Sequence, residues 1–99
     1  MTTFTRRQVL EILEIEDAFL VSLEDESIVA PDAAEPEARY SDSTLERIRI
    51  ASELVRELEV NLAGAAVILH MREELTDLRR RVAELLTEIE ARRRSGPGE

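Results

Sequence analysis

The chain has 99 residues and a formal net charge of −9; it is 43% hydrophobic but only 3% aromatic, and it contains no cysteine. Such a length allows one small domain, alone or with an extended helix, and the missing cysteines exclude a disulfide framework and thiolate chemistry, which fits a reducing compartment. The longest apolar run, Leu62 to Leu69, is far too short to span a bilayer, and the N-terminus lacks the residue order of a signal peptide, so a soluble cytoplasmic protein is expected.

A first helix is predicted to begin near Thr5, where Thr5 and Gln8 have capping-box spacing. Val9, Leu10, Leu13 and Ile12 form its apolar side. Glu14-Ile15-Glu16 interrupts the pattern without a turn glycine. A second helix is predicted from about Asp17, read as its N-cap, to Glu26, with Phe19, Leu20 and Leu23 facing the core. Two short helices joined by a tight turn form a helix-turn-helix candidate.

Ile28-Val29-Ala30-Pro31 is short, apolar and ended by proline, which suits an edge strand. Residues 32–38 are small and acidic and read as a loop. Arg39-Tyr40 supplies a returning strand, so that this unit forms a small wing, with the Tyr40 ring on the core and its hydroxyl in water. Ser41 or Asp42 then caps a third helix through about Leu58, whose apolar set is Leu45, Ile48, Ala51, Leu54, Val55 and Leu58. Asn61 is expected to cap a fourth helix reaching about Arg93, with Arg92, Arg93 and Arg94 at its negative dipole end. The expected organisation is an acidic winged-helix domain over 1–62, a long amphipathic helix over 63–94 and a disordered tail over 95–99.

The fourth helix carries the clearest period. Ile68, Met71, Leu75, Leu78, Val82, Leu85 and Ile89 are spaced 3-4-3-4-3-4, which is a heptad seam. A narrow stripe on a helix roughly 45 Å long, at about 1.5 Å per residue, outruns what so small a body can cover. It is expected to pair with its copy in a homodimer, the competing reading being that it packs on helices of its own chain. The direction of pairing stays open.

Charge is unevenly placed. Residues 1–62 hold fifteen Asp and Glu against six Arg, whereas residues 63–99 hold seven against seven. Between Arg7 and Arg39 there is no basic residue and there are ten acidic ones. A DNA-reading module needs Lys or Arg to displace counterions from phosphates; here the expected reading surface has the opposite sign. It suits a basic protein surface, and Asp17, Glu24, Asp25, Glu26, Asp32, Glu35 and Glu37 are the candidate contacts.

Nothing points to catalysis. His70 is the only histidine and is read as a surface side chain; a metal site or nucleophile–base pair would need further groups. With glycine only at Gly64, Gly96 and Gly98 there is no phosphate-binding loop. No enzyme activity, cofactor or metal is expected.

The order of these elements resembles the MerR-like winged-helix family. The resemblance rests on Phe4-Thr5 with Gln8-Val9, on Ile28-Val29-Ala30-Pro31, on Arg39-Tyr40-Ser41, on Leu45-Glu46-Arg47-Ile48 and on the run from Leu58 to Gly64, and it covers about Phe4 to Leu86. Within that superfamily the chain is similar to the CbpM-type chaperone modulators, which bind the J-domain of a DnaJ-like co-chaperone, CbpA, and restrain it. The resemblance implies a mostly α fold: a winged helix-turn-helix with a small β wing and a long C-terminal coiled-coil helix. It also implies a basic J-domain helix as the partner of the acidic surface. The chain departs from DNA-binding relatives in having Val21 and Ser22, with no arginine, in the middle of the second helix, and Ser27 where a glycine is usual before the wing. A MerR-like transcription regulator reading a DNA palindrome as a dimer, and a purely structural dimerisation adaptor, are the alternative functions.

Overall fold

The structure is a computed structural model that describes residues 2–96. It is mostly helical, with two compact units, Met1–Leu69 and His70–Glu99. In chain order the elements are β1 (Thr3–Thr5), α1 (Arg6–Leu13), α2 (Asp17–Asp25), β2 (Arg39–Ser41), α3 (Asp42–Ser52), a π-helical turn (Glu53–Glu57) and α4 (Leu62–Ser95). Among the described residues no helix is long and apolar enough to cross a membrane.

The capping box is present: Gln8 N–H donates to Thr5 Oγ1 at 3.2 Å, and Thr5 N–H to Gln8 Oε1 at 2.9 Å. The first helix ends without glycine. Glu14 takes the left-handed conformation (φ 54°), and Ile15 N–H reaches back to the Leu10 carbonyl at 3.1 Å, the six-to-one bond of a Schellman ending. This turn aims Ile15 inward, where it is buried with Val9, Leu20 and Leu23. Ser27, where the family resemblance leads one to expect glycine, also has positive φ (58°), a left-handed backbone that glycine would adopt more readily.

Several expectations are corrected. Ile28 to Pro31 is not a strand. Successive strand residues point to opposite faces, yet Ile28 and Val29 are both buried; they plug the core side by side. The strand that pairs with β2 is β1, antiparallel, with Thr3 opposite Ser41, Phe4 opposite Tyr40 and Thr5 opposite Arg39. Thr5 therefore serves as both strand end and helix cap. The wing loop is closed by an isolated bridge between Ala33 and Arg39. Asp17 is not the cap of α2: Glu16, with extended backbone, holds that position without a side-chain bond, and Asp17 is already within the first turn, its carboxylate paired with Arg6.

Ser41, not Asp42, caps α3, accepting from Thr44 N–H at 3.2 Å. The helix does not run on to Leu58 in α geometry. The π turn adds a residue to the winding and rotates the end of the helix away from the core, so Leu58 is 67% exposed while Ile48 and Ala51 are fully buried. Asn61 caps α4 as expected, its Oδ1 accepting from Gly64 N–H at 2.7 Å.

The core of the first unit joins Val9, Ile15, Leu20, Leu23, Ile28, Val29, Tyr40, Ile48, Ala51 and Leu69. The start of α4 lies on it through Leu62, Ala66 and Leu69, spaced one helical face apart. Ile68, the first stripe residue, is half-buried within this unit; from His70 onward every described residue of the helix is exposed. Of the tail expected over 95–99, Ser95 closes α4, Gly96 follows it with φ 76°, and 97–99 lie outside the described residues.

Candidate protein-interaction surface

The exposed face of α2 is where a helix-turn-helix would present residues to a groove. Its composition follows from helical spacing: Asp17, Val21 and Asp25 fall four apart, and all three are exposed. Helix α2 itself contributes carboxylates and an apolar centre to this face, and no basic residue.

The arginines of the first unit are turned to internal use. Arg6 is the hub. Its Nε donates to Asp17 Oδ1 at 2.6 Å, and its Nη1 to Glu24 Oε1 at 2.9 Å and to the Tyr40 hydroxyl at 3.0 Å. Tyr40 in turn donates to Glu24 Oε2 at 2.7 Å, so its hydroxyl is bonded inside the fold and not wet as expected. Partial burial disfavours the Arg6 charge, but the bonds to Asp17 and Glu24 outweigh it and hold the guanidinium above its ordinary pKa. Burial, aided by the Glu24 carboxylate, likewise pushes the Tyr40 phenol up. Arg39 donates to Thr3 Oγ1 at 3.0 Å and lies 3.7 Å from Glu37. Arg47 Nε donates to the Ile28 carbonyl at 2.6 Å, and Arg49 is paired with Glu46 and Glu53. Arg56 reaches the Glu14 carbonyl at 3.2 Å, capping the left-handed turn. Of the six arginines before α4, only Arg7 lacks a hydrogen bond or ion pair among the described residues.

The seven candidate carboxylates therefore divide. Asp17 and the half-buried Glu24 share the single positive charge of Arg6. Asp32 accepts the Ser41 N–H at 2.8 Å, and that bond, first among its contacts, lowers its pKa. Glu37 lies beside Arg39. Asp25, Glu26 and Glu35 are exposed and have no ion pair among the described residues. Asp25 and Glu26 also sit at the C-terminal end of α2, where the helix dipole is negative and acidic side chains are disfavoured. Sequence reading missed Arg6 as the organiser; the available signal was a lone cation pair, Arg6-Arg7, ahead of a long acidic run.

Of the stripe residues, Met71, Leu75, Leu78, Val82, Leu85 and Ile89 are all exposed. His70 is exposed and lies 2.7 Å from Glu74 one turn on. Among the described residues no cluster of His, Cys, Asp or Glu could hold a metal ion.

Comparison with curated proteins and with solved structures returns no match. A family model described as MerR HTH family regulatory protein matches residues 4–87, a span that includes both helices of the turn, β2, α3 and most of α4. The chain thus belongs to the MerR helix-turn-helix family of regulatory proteins.

Proposed function

We propose that this protein is a non-enzymatic interaction module of the CbpM chaperone-modulator type. It binds the J-domain of a DnaJ/CbpA-like co-chaperone in the cytoplasm and inhibits it by covering the basic helix that engages the chaperone partner. The observation that carries this reading is the pair Asp25 and Glu26: two exposed carboxylates without a cation, at a helix end whose dipole disfavours them. A basic helix laid there relieves that local repulsion, and the exposed Val21 beside it gives an apolar contact. Duplex DNA would meet the same carboxylates with like charge, and five of the six arginines of the first unit are already bonded within it. The exposed stripe of α4 serves a coiled-coil homodimer.

The test is titration of an isolated J-domain by calorimetry at low and raised ionic strength, with a gel shift on duplex DNA in parallel. Binding to the J-domain that weakens steeply with salt, and no DNA retention at low salt, is the expected result. DNA retention at near-physiological salt returns the transcription-regulator reading. Absence of J-domain binding leaves a dimerisation adaptor.

A further inference from the structure

A groove of about 610 Å³ lies in the first unit, lined by none of the seven candidate carboxylates. One wall is the end of α1, with Ile12, Leu13 and Glu14; the other is the π turn, with Glu53, Arg56 and Glu57. We infer that this groove takes an arginine side chain, together with an apolar neighbour, from a basic segment of a partner protein. The site shares no residue with the surface assigned to the J-domain and stands without that assignment.

Local sequence builds the groove. α1 ends on Glu14 in the left-handed conformation (φ 54°), and Glu59, just beyond the π turn, takes the same conformation (φ 56°). Val60 N–H closes the second ending on the Leu54 carbonyl at 2.9 Å. Both walls are therefore helix C-termini, where the dipole is negative, and α1 has no basic residue in its last turn to offset it. Side-chain charge has the same sign. Glu14 and Glu57 make no side-chain hydrogen bond or ion pair among the described residues. Arg49, which also lines the groove, shares its one charge between Glu46 and Glu53. Arg56 donates to the Glu14 carbonyl at 3.2 Å, so one guanidinium already sits on a helix-end carbonyl here. Both cations of the groove are thus engaged, and its free charged groups are carboxylates.

The apolar part of the wall fixes the rest of the occupant. Ile12 is 52% exposed, and Leu13 is half-buried with its other side on the core. An arginine lays its stem along such a surface while its fork reaches carboxylates and carbonyls. An anion would meet like charge, and a wholly apolar ligand would desolvate free carboxylates without pairing them. The volume lies within the roughly 300–1,000 Å³ of ligand clefts.

The probe is a short capped peptide alternating arginine and leucine, titrated into the intact chain and followed by backbone amide chemical shifts. Shifts centred on residues 12–14 and 52–57 are expected. A glutamate–leucine peptide should produce none, and an arginine–glycine peptide should bind about tenfold more weakly. Glu57→Arg puts a cation at a helix C-terminus, which favours the fold. It should weaken the arginine–leucine peptide by about tenfold or more, and Ile12→Ser by about threefold, whereas Asp25→Arg with Glu26→Arg should change it by less than about twofold. Urea midpoints establish that each variant is folded. Shifts confined to Val21, Asp25 and Glu26, or undiminished affinity in a folded Glu57→Arg chain, overturn the site. Binding that emerges only as the chain is diluted means that a second copy fills the groove, and overturns the choice of occupant.

Discussion

Arg6 and Glu24 meet at 2.9 Å although eighteen positions separate them in the chain. One guanidinium thereby ties the start of α1 to the end of α2, and through Tyr40 to β2. The pair is only partly buried, with side chains 31% and 22% exposed, so its Coulomb attraction is discounted for solvent. Removing Arg6 nevertheless leaves Glu24 half-buried beside other carboxylates. Arg6→Ala is expected to destabilise the fold by about 1–2 kcal/mol, read as a lower urea midpoint with unchanged slope. Arg6→Lys should recover only part of this, since an ammonium cannot serve Asp17, Glu24 and Tyr40 with one planar fork.

Tyr40 offers a direct reading of the same network. It is the only tyrosine and the chain has no tryptophan, so ultraviolet absorbance follows its ionisation alone. Burial first, and then the Glu24 hydrogen bond, hold the folded phenol above its ordinary value. A folded pKa above the unfolded one means that the folded state keeps its proton longer. The stabilisation is thus complete below the unfolded value of about 10 and is lost as pH rises through the folded value. Stability measured against pH should fall in that alkaline window, and Tyr40→Phe should remove this contribution to the fall. Glu24→Gln should move the phenol titration down toward its ordinary value.

Glu14 holds a left-handed backbone at φ 54°, a conformation that costs a residue with a Cβ about 1–2 kcal/mol. Glycine takes it without that penalty, though it is more costly to order. The Glu14 backbone carbonyl that Arg56 reaches is kept in the variant. Glu14→Gly is therefore expected to stabilise the protein by about 0.5–1 kcal/mol, which thermal unfolding of so small a unit would report as a rise of about 2–8 °C.

The helices were legible because their signals are local. Thr5 with Gln8, Ser41 with Thr44 and Asn61 with Gly64 are caps within four residues of sequence, and the core positions Leu20, Leu23 and Ile48 follow a single period. The strand partner was not legible, because three residues at Thr3–Thr5 give no alternation to read, and pairing with Arg39–Ser41 is decided by how the helices between them pack. Ile28 and Val29 look like a strand in sequence since β-branched apolar residues suit both a strand and a buried irregular segment. The π turn is invisible for a similar reason: Leu54, Val55 and Leu58 keep helical spacing, and only the packing of α3 decides that Leu58 turns outward. The candidate surface was legible as a sign of charge. Its internal division was not, because whether a carboxylate is free depends on where Arg6 points.

That division makes a prediction about binding. Asp25 and Glu26 are free, whereas Asp17 and Glu24 are bonded to Arg6. Removing a free carboxylate should weaken a basic partner and leave the fold unchanged or slightly stabilised, since two negative charges leave the negative end of the α2 dipole. Removing a bonded one should do the reverse. Asp25→Arg with Glu26→Arg is therefore expected to weaken J-domain binding by about a hundredfold, near 2.7 kcal/mol, with an unfolding midpoint at or above that of the parent chain. Asp17→Asn with Glu24→Gln should lower the midpoint while changing affinity by less than about tenfold. Calorimetric titration and urea unfolding on the two double variants decide between the assignments. If both weaken the partner equally at equal stability, charge is read as a diffuse field and the free pair is not a contact.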